Sequence, residues 1–298
     1  MKLLPNSNIS AVVAATLLTL TAIAGGSAPL FADSAAQKPA TRIVAIGGAV
    51  TEVVFALGQE DRLVARDTTS VYPEKANDLP NVGYIRALSP EGVMSVDPDL
   101  ILMLEGSGPQ ESVDVLKKSG IPIADIPEAY TAQGILDKVR AVGTALGASE
   151  NAEALASKLD AELSAAEAEA KSVSSGSRVL FILSTQGGRI LASGTDTAAH
   201  GILELSGAQN AISDFSGYKQ LSDEAILSAN PDVILMMRRT GDHGTKAEDL
   251  FKHPALALTP AGKNKRLIVM PGQYLLGFGP RTAGAIRDLS KNLAQVGG

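Results

Sequence analysis

Cysteine is absent from the 298 residues, tryptophan is absent too, and histidine occurs only three times. The first absence removes disulfides, thiolate zinc sites, iron–sulfur ligation and cysteine nucleophiles. Scarce imidazole constrains metal sites as well, because a three-histidine cage would consume His200, His243 and His253 together. Basic residues are outnumbered, 26 Lys and Arg against 32 Asp and Glu, and the resulting charge of −6 argues against a nucleic-acid binder. Beyond Ala24 no stretch approaches the ~20 apolar residues of a membrane helix. What is present, 45% hydrophobic and 19% charged residues, is ordinary for a folded chain whose length suggests roughly two domains.

The amino terminus has the order of a secretory signal peptide. Lys2 precedes the apolar run Ile9 to Ala24, and the small residues Gly25-Gly26-Ser27-Ala28 follow it. The expectation is that residues 1–32 are removed and the mature chain starts near Asp33 in a periplasm. No cysteine follows the run, so a lipid-anchored lipoprotein is not expected.

The rest alternates short apolar runs with helical patterns, which indicates an α/β protein with mainly parallel sheets. Ile43–Ile46, Leu100–Leu104 and the stretch from Ile121 to Ala124 read as strands; Glu52–Leu57 (capped by Thr51), Val113–Lys118 and Gly134–Leu146 read as helices. Ser149–Val173 differs from its surroundings. It has no Gly or Pro, and Leu155, Leu159 and Leu163 recur every four residues beside Ala152, Ala156 and Ala166. Such a helix is about 36 Å long at 1.5 Å per residue, enough for a spine across two bodies. The spacing predicts two Rossmann-like lobes, 41–147 and 177–298, joined by a linking helix over 149–173.

An internal repeat supports two lobes. Residues 88–103 align without a gap on residues 221–236, with nine of sixteen positions identical. Each copy reads as a Ser cap, a short helix, an Asp/Asn-Pro-Asp turn and a buried strand. Gly83-Tyr84 precedes one copy and Gly217-Tyr218 the other. Ligands of open α/β sheets bind beyond the carboxyl ends of the strands. Two facing lobes therefore form a cleft walled by Gly47-Gly48, the loop from Glu105 to Gly108, the Tyr84 loop, and the loops after Ser184 and Arg238.

Within Gly83-Tyr84-Ile85-Arg86 a phenol stands two residues from a guanidinium. A free phenol, with pKa near 10, ligates poorly, but ferric iron displaces its proton, and tyrosinate is a known haem ligand. Arg86 is placed to bond that oxygen or to pair with a propionate. The stretch GYIRALSPEGVMSVDPDLIL resembles the haem-binding loop of periplasmic haem-binding proteins serving bacterial haem ABC importers. Three further stretches resemble the same family: IVAIGGAVTEVVFALG from Ile43, GTDTAAHGILELSGAQNA from Gly194 and YLLGFGPRT from Tyr274. The lobe pattern is shared with cobalamin- and siderophore-binding relatives. By position, the resemblance implies that Tyr84 is the axial ligand of ferric haem b, carried as cargo, with Arg86 as its neighbour.

Other residues follow less directly. Arg238 and Arg239 end a strand, from which one could reach a haem propionate or the Tyr84 oxygen across the cleft. Tyr218 reads as cleft wall. His243 is the one histidine to test as a sixth iron ligand, while His200 belongs to a helix start and His253 to the surface. Tyr72, Tyr130 and Tyr274 read as packing residues, with Tyr72 and Tyr130 also candidates for the cleft lining. Glu91 and Glu224 share one repeat position and suit docking to arginines on the two subunits of an inner-membrane ABC permease dimer with its ATPase. The expected protein is a monomeric carrier and no enzyme, since the sequence has no Gly-x-Ser-x-Gly elbow, Walker loop or His-Glu-x-x-His helix. The alternatives are a cobalamin or ferric-siderophore carrier of the same fold, or a bilobed α/β enzyme. Zero tryptophan weighs against a Trp-rich cobalamin cleft.

Overall fold

The structure is a computed structural model that describes residues 39–173, 176–238 and 247–297. The expected export segment, Arg239 and His243 lie outside the described residues.

The first sheet contains β1 (Ile43–Ile46), β2 (Leu63–Arg66), β5 (Leu100–Leu104) and β6 (Ile123–Ile126) in the order β2-β1-β5-β6. All its ladders are parallel. Between β2 and β5 lies a separate two-stranded ladder, β3 (Gly83–Tyr84) with β4 (Ala87–Leu88). Helices α1 (Gly48–Ala56), α2 (Pro90–Met94), α3 (Gln110–Lys118) and α4 (Ala132–Leu146) alternate with these strands, and α5 (Ser149–Val173) follows.

The second sheet contains β7 (Arg178–Ser184), β8 (Ile190–Ser193), β9 (Gln209–Asn210), β10 (Tyr218–Leu221), β11 (Val233–Arg238) and β12 (Leu267–Pro271). Its order is β10-β8-β7-β11-β12, with β9 beside the start of β7. Its helices are α6 (Ala198–Leu205), α7 (Asp223–Ala229), α8 (Ala247–Leu250), α9 (Pro254–Leu258), α10 (Pro260–Lys263), α11 (Gly272–Leu276) and α12 (Thr282–Gly297).

Hydrophobic alternation explains how the lobes share a core. Along β7 and β11, Val179, Phe181, Val233 and Leu235 face the same cluster as the first sheet, α4, α5 and α12. Their neighbours Leu180, Ile182, Ile234 and Met236 face a second cluster on the other side. Both faces of those strands are buried, as expected of runs that are apolar throughout. The spine α5 turns Ala152, Ala156, Leu159, Leu163, Ala166 and Ala170 inward, a stripe of period three to four.

Three local expectations need correction. Thr51 does not cap α1: the helix starts at Gly48 after Gly47, and the Thr51 hydroxyl lies buried against Ser70 Oγ at 2.7 Å. The third strand runs Ile123–Ile126 rather than from Ile121, because Pro122 has no N–H and serves only as acceptor for Ile101 N. The second sheet is mixed. Residues 185–189 between β7 and β8 are too few for a parallel crossover, so β8 returns antiparallel.

The repeat is visible in backbone detail. Ser89 and Ser222 cap α2 and α7, accepting from Gly92 N and Ala225 N at 3.2 Å each. Asp97 and Asn230, equivalent by sequence, both take positive φ, +50° and +42°, the region that Asn and Asp tolerate best after glycine. Asp99 and Asp232 each accept from the backbone N–H that opens the first strand of their lobe, Arg42 N at 2.8 Å and Arg178 N at 3.0 Å.

Candidate functional site

The β3–β4 hairpin is pinned on both sides to loops that follow sheet strands. Thr68 N donates to Gly83 O at 2.8 Å, Gly108 N donates to Ile85 O at 2.9 Å, and Leu88 N donates to Gly108 O at 2.9 Å. Gly83 has φ +107°, a conformation that a side chain would strain. Ile85 is buried in the lobe core, while Tyr84 and Arg86 on either side of it are exposed, Tyr84 by 42%. Tyr84 therefore does not point back into its own lobe. Arg86 Nη1 donates to Tyr84 Oη at 3.3 Å.

Arg86 lies within electrostatic reach of phenols from both lobes: Tyr84 and Tyr130 from the first, Tyr218 from the second. Partial desolvation opposes its charge, but the Tyr84 hydrogen bond and the phenols outweigh that, and its pKa rises. Behind it lie Glu105 and Glu128, with Glu128 N donating to Glu105 Oε2 at 3.1 Å. Burial pushes the Glu128 carboxyl up, partly offset by Lys138. Lys138 itself has no solvent exposure and donates to Glu128 Oε1 at 2.7 Å and to the second-lobe carbonyl of Phe278 at 2.8 Å. Burial lowers its pKa against the attraction of Glu128. Tyr130 meets the Phe278 ring edge-on at a centroid distance of 5.4 Å.

A second polar seam ties the lobes together. Glu52, 5% exposed on α1, accepts from Arg281 Nε at 2.9 Å, Arg281 Nη2 at 2.6 Å and Gln273 Nε2 at 2.6 Å. Gln273 Oε1 in turn accepts from Val71 N at 3.1 Å. The Arg281 guanidinium lies 3.7 Å from the Tyr72 ring centroid, a cation–π contact. Tyr274, close to the same guanidinium, donates to Asp288 Oδ2 at 2.8 Å, and burial with that bond raises its pKa to about 12. Sequence reasoning missed Glu52, Lys138, Glu128 and the role of Arg281. Only Arg281 left a signal, as the charged residue within GFGPRT.

The remaining candidates are dispersed. Arg238 ends β11, exposed, at the carboxyl end of its sheet. Glu91 and Glu224 are exposed at the second position of α2 and α7. The Ser89 hydroxyl, donating at 2.8 Å, and the helix backbone hold Glu91 below its ordinary pKa; its own backbone and then Ser222 do the same for Glu224. His200 lies in the first turn of α6, as expected, with Nε2 3.4 Å from Glu204. His253 departs from the surface expectation: its side chain is 18% exposed and its Nδ1 is buried with no hydrogen-bond partner.

Two lobes, a single spine helix and an exposed Tyr84 beside Arg86 form the frame for comparison with known proteins. Residues 43–274 match the family model described as periplasmic binding protein. The chain belongs to that family. Two solved family members are similar at 35% identity. One is the periplasmic heme-binding protein BhuT in complex with two hemes, with a TM-score of 0.80 over 86% of this chain and 98% of that one. The other is the periplasmic heme-binding protein RhuT from Roseiflexus sp. RS-1 in apo form, with a TM-score of 0.81 over 86% and 99%. Curated relatives divide differently. An uncharacterized ABC transporter substrate-binding lipoprotein, YvrC of Bacillus subtilis, is 28% identical over 88% of this chain and 82% of its own length. A vitamin B12-binding protein of Vibrio parahaemolyticus is 22% identical over 90% and 95%. The two-lobe fold expected from the sequence is thus the fold of periplasmic binding proteins, a family of solute carriers for ABC transport.

Proposed function

We propose that this protein captures ferric haem between its lobes through a Tyr84 phenolate–iron bond and delivers it to an inner-membrane ABC permease. The carrying observation is the exposed Tyr84 phenol with the Arg86 guanidinium 3.3 Å from its oxygen. A cation at that distance stabilises the phenolate that ferric iron requires. Arg238, and Arg239 beside it, pair with the propionates. The lobes are 41–147 and 177–298, and residues 149–173 are the link. Glu91 and Glu224, ionised and exposed in equivalent positions, dock to the two permease subunits. Residues 1–32 direct export to the periplasm. YvrC is called a lipoprotein, whereas this sequence has no cysteine to lipidate. The protein binds and releases without catalysis, as a monomer.

The vitamin B12-binding relatives favour a second reading, cobalamin as cargo. One titration separates the two. Purified mature protein is mixed with hemin or with cyanocobalamin, and the hemin series is repeated with Tyr84→Phe. Hemin binding with a tyrosinate-to-iron charge-transfer band, lost in the variant, is expected. Tight cyanocobalamin binding without a hemin spectrum would overturn the haem reading.

A further inference from the structure

We infer that Tyr218 is a fixed aromatic plate on which a flat ring ligand stacks, a positioning residue and not a second metal ligand. This inference rests on the haem reading of the cleft.

Tyr84 and Tyr218 follow glycines with positive φ, +107° at Gly83 and +78° at Gly217, and expose similar areas, 42% and 38%. They leave their lobes in comparable ways but differ in what holds the oxygen. Tyr84 sits in a hairpin whose turn brings Arg86 to it. Tyr218 has no such turn. It opens the continuous strand β10, locked opposite Ser193 of β8. The next residue, Lys219, lies over the Phe215 ring at 5.0 Å, so its charge is engaged elsewhere.

The Tyr218 oxygen instead interacts with the hydroxyls of Thr197 and Ser193, both buried and hydrogen-bonded to each other. Neutral hydroxyls anchor a phenol without supplying the full positive charge that would favour its ionisation. Burial, and then Tyr130, push its pKa up, and the hydrogen bond from Thr197, Arg86 and the hydrogen bond from Ser193 offset this only in part. With that anchor Tyr218 stays 38% exposed, so part of the residue remains open to a ligand. That ring lies within electrostatic reach of Arg86 and Tyr130 on the opposite lobe. A ring anchored at its oxygen and partly exposed suits offset stacking on a planar conjugated ligand.

Metal-free protoporphyrin IX separates plate from ligand, because it has the ring and no iron. Wild type, Tyr84→Phe, Tyr218→Phe, Tyr218→Leu and Tyr218→Ala are titrated with it by fluorescence and with hemin by absorbance, after thermal melts establish that each is folded. For Tyr218→Ala we expect roughly tenfold weaker binding of both porphyrins, the scale of one aromatic contact, with the hemin band unmoved. Tyr218→Leu, which keeps bulk without a π face and covers failure of the alanine variant to fold, falls between. Tyr218→Phe keeps the ring and stays near wild type, whereas Tyr84→Phe loses the hemin band but retains metal-free porphyrin. Unchanged metal-free porphyrin affinity in both Tyr218→Ala and Tyr218→Leu, or a hemin band altered by Tyr218→Phe, overturns the plate alone. Absence of any porphyrin binding by wild type overturns the haem reading, and the plate with it.

Discussion

Lys138 carries its ammonium to a position with no solvent exposure, where Glu128 and the Phe278 carbonyl receive it. A buried pair of this kind adds little net stability but is costly to halve, because the survivor is left charged and unpaired. Lys138→Ala is expected to lose about 3–5 kcal/mol, and Lys138→Met with Glu128→Gln to recover most of it, as measured by urea unfolding. Glu52 makes a pH prediction. Burial outweighs Arg281 and raises its pKa above the ordinary 4.5, so the folded chain holds this proton more tightly than the unfolded chain does. Its contribution to stability therefore falls as pH rises from 4.5 through the raised value. Glu52→Gln should remove that descent, giving a flatter melting-temperature profile just above pH 4.5; an unchanged slope would place the titration elsewhere. Neither residue was legible as special. Lys138 lies on a helix whose end was read correctly and whose start was read two residues late, but its partner Phe278 is 140 residues away. Periodicity reports only neighbours on the same element. The hydrogen bond between Arg86 and Tyr84 was legible because it is local, two residues apart on one turn.

Where α4 meets α5, the helices approach closely enough that a Cβ on Gly143 would fall 2.1 Å from Ala152 Cβ. An alanine inside a helix normally stabilises by up to ~1 kcal/mol over glycine. Here the sign should invert: Gly143→Ala is expected to cost about 1–3 kcal/mol through overpacking, and Ala152→Gly in the same chain to recover part of it. Thermal unfolding of the wild type and the two variants checks this. The limits of α5 were read correctly from sequence because an unbroken Ala/Leu/Glu/Lys run with a period near four has few alternatives. Elements that depend on partners were less legible. The antiparallel direction of β8 follows from a five-residue connection whose ends could be fixed only once β7 and β8 were seen. The start of α1 was set by Asp67, which accepts from Gly47 N at 3.1 Å from a buried position outside the helix, and by Thr69 Oγ1, 2.9 Å from Gly48 N.

At the scale of the molecule, the lobes are joined by the spine and by two polar seams, Glu52 with Arg281 and Gln273, and Lys138 with Phe278. The repeat predicted the two lobes and the matched acids, but no seam, since each seam pairs residues outside the repeated segment. Replacement of Glu91 or Glu224 by Arg should leave hemin affinity intact and reduce haem delivery through the permease in reconstituted vesicles, the double variant most. Retained delivery in the double variant would remove these acids from the docking surface. The acids sit on one motif built twice, with the same Ser cap, a short helix and a left-handed turn residue, Asp97 in one copy and Asn230 in the other. A symmetric channel presented with such duplicate handles has no means to distinguish left from right. It would receive the carrier in either of two poses a half-turn apart, so the wall that bears Tyr84 would lie over one membrane subunit in some encounters and over the other in the rest.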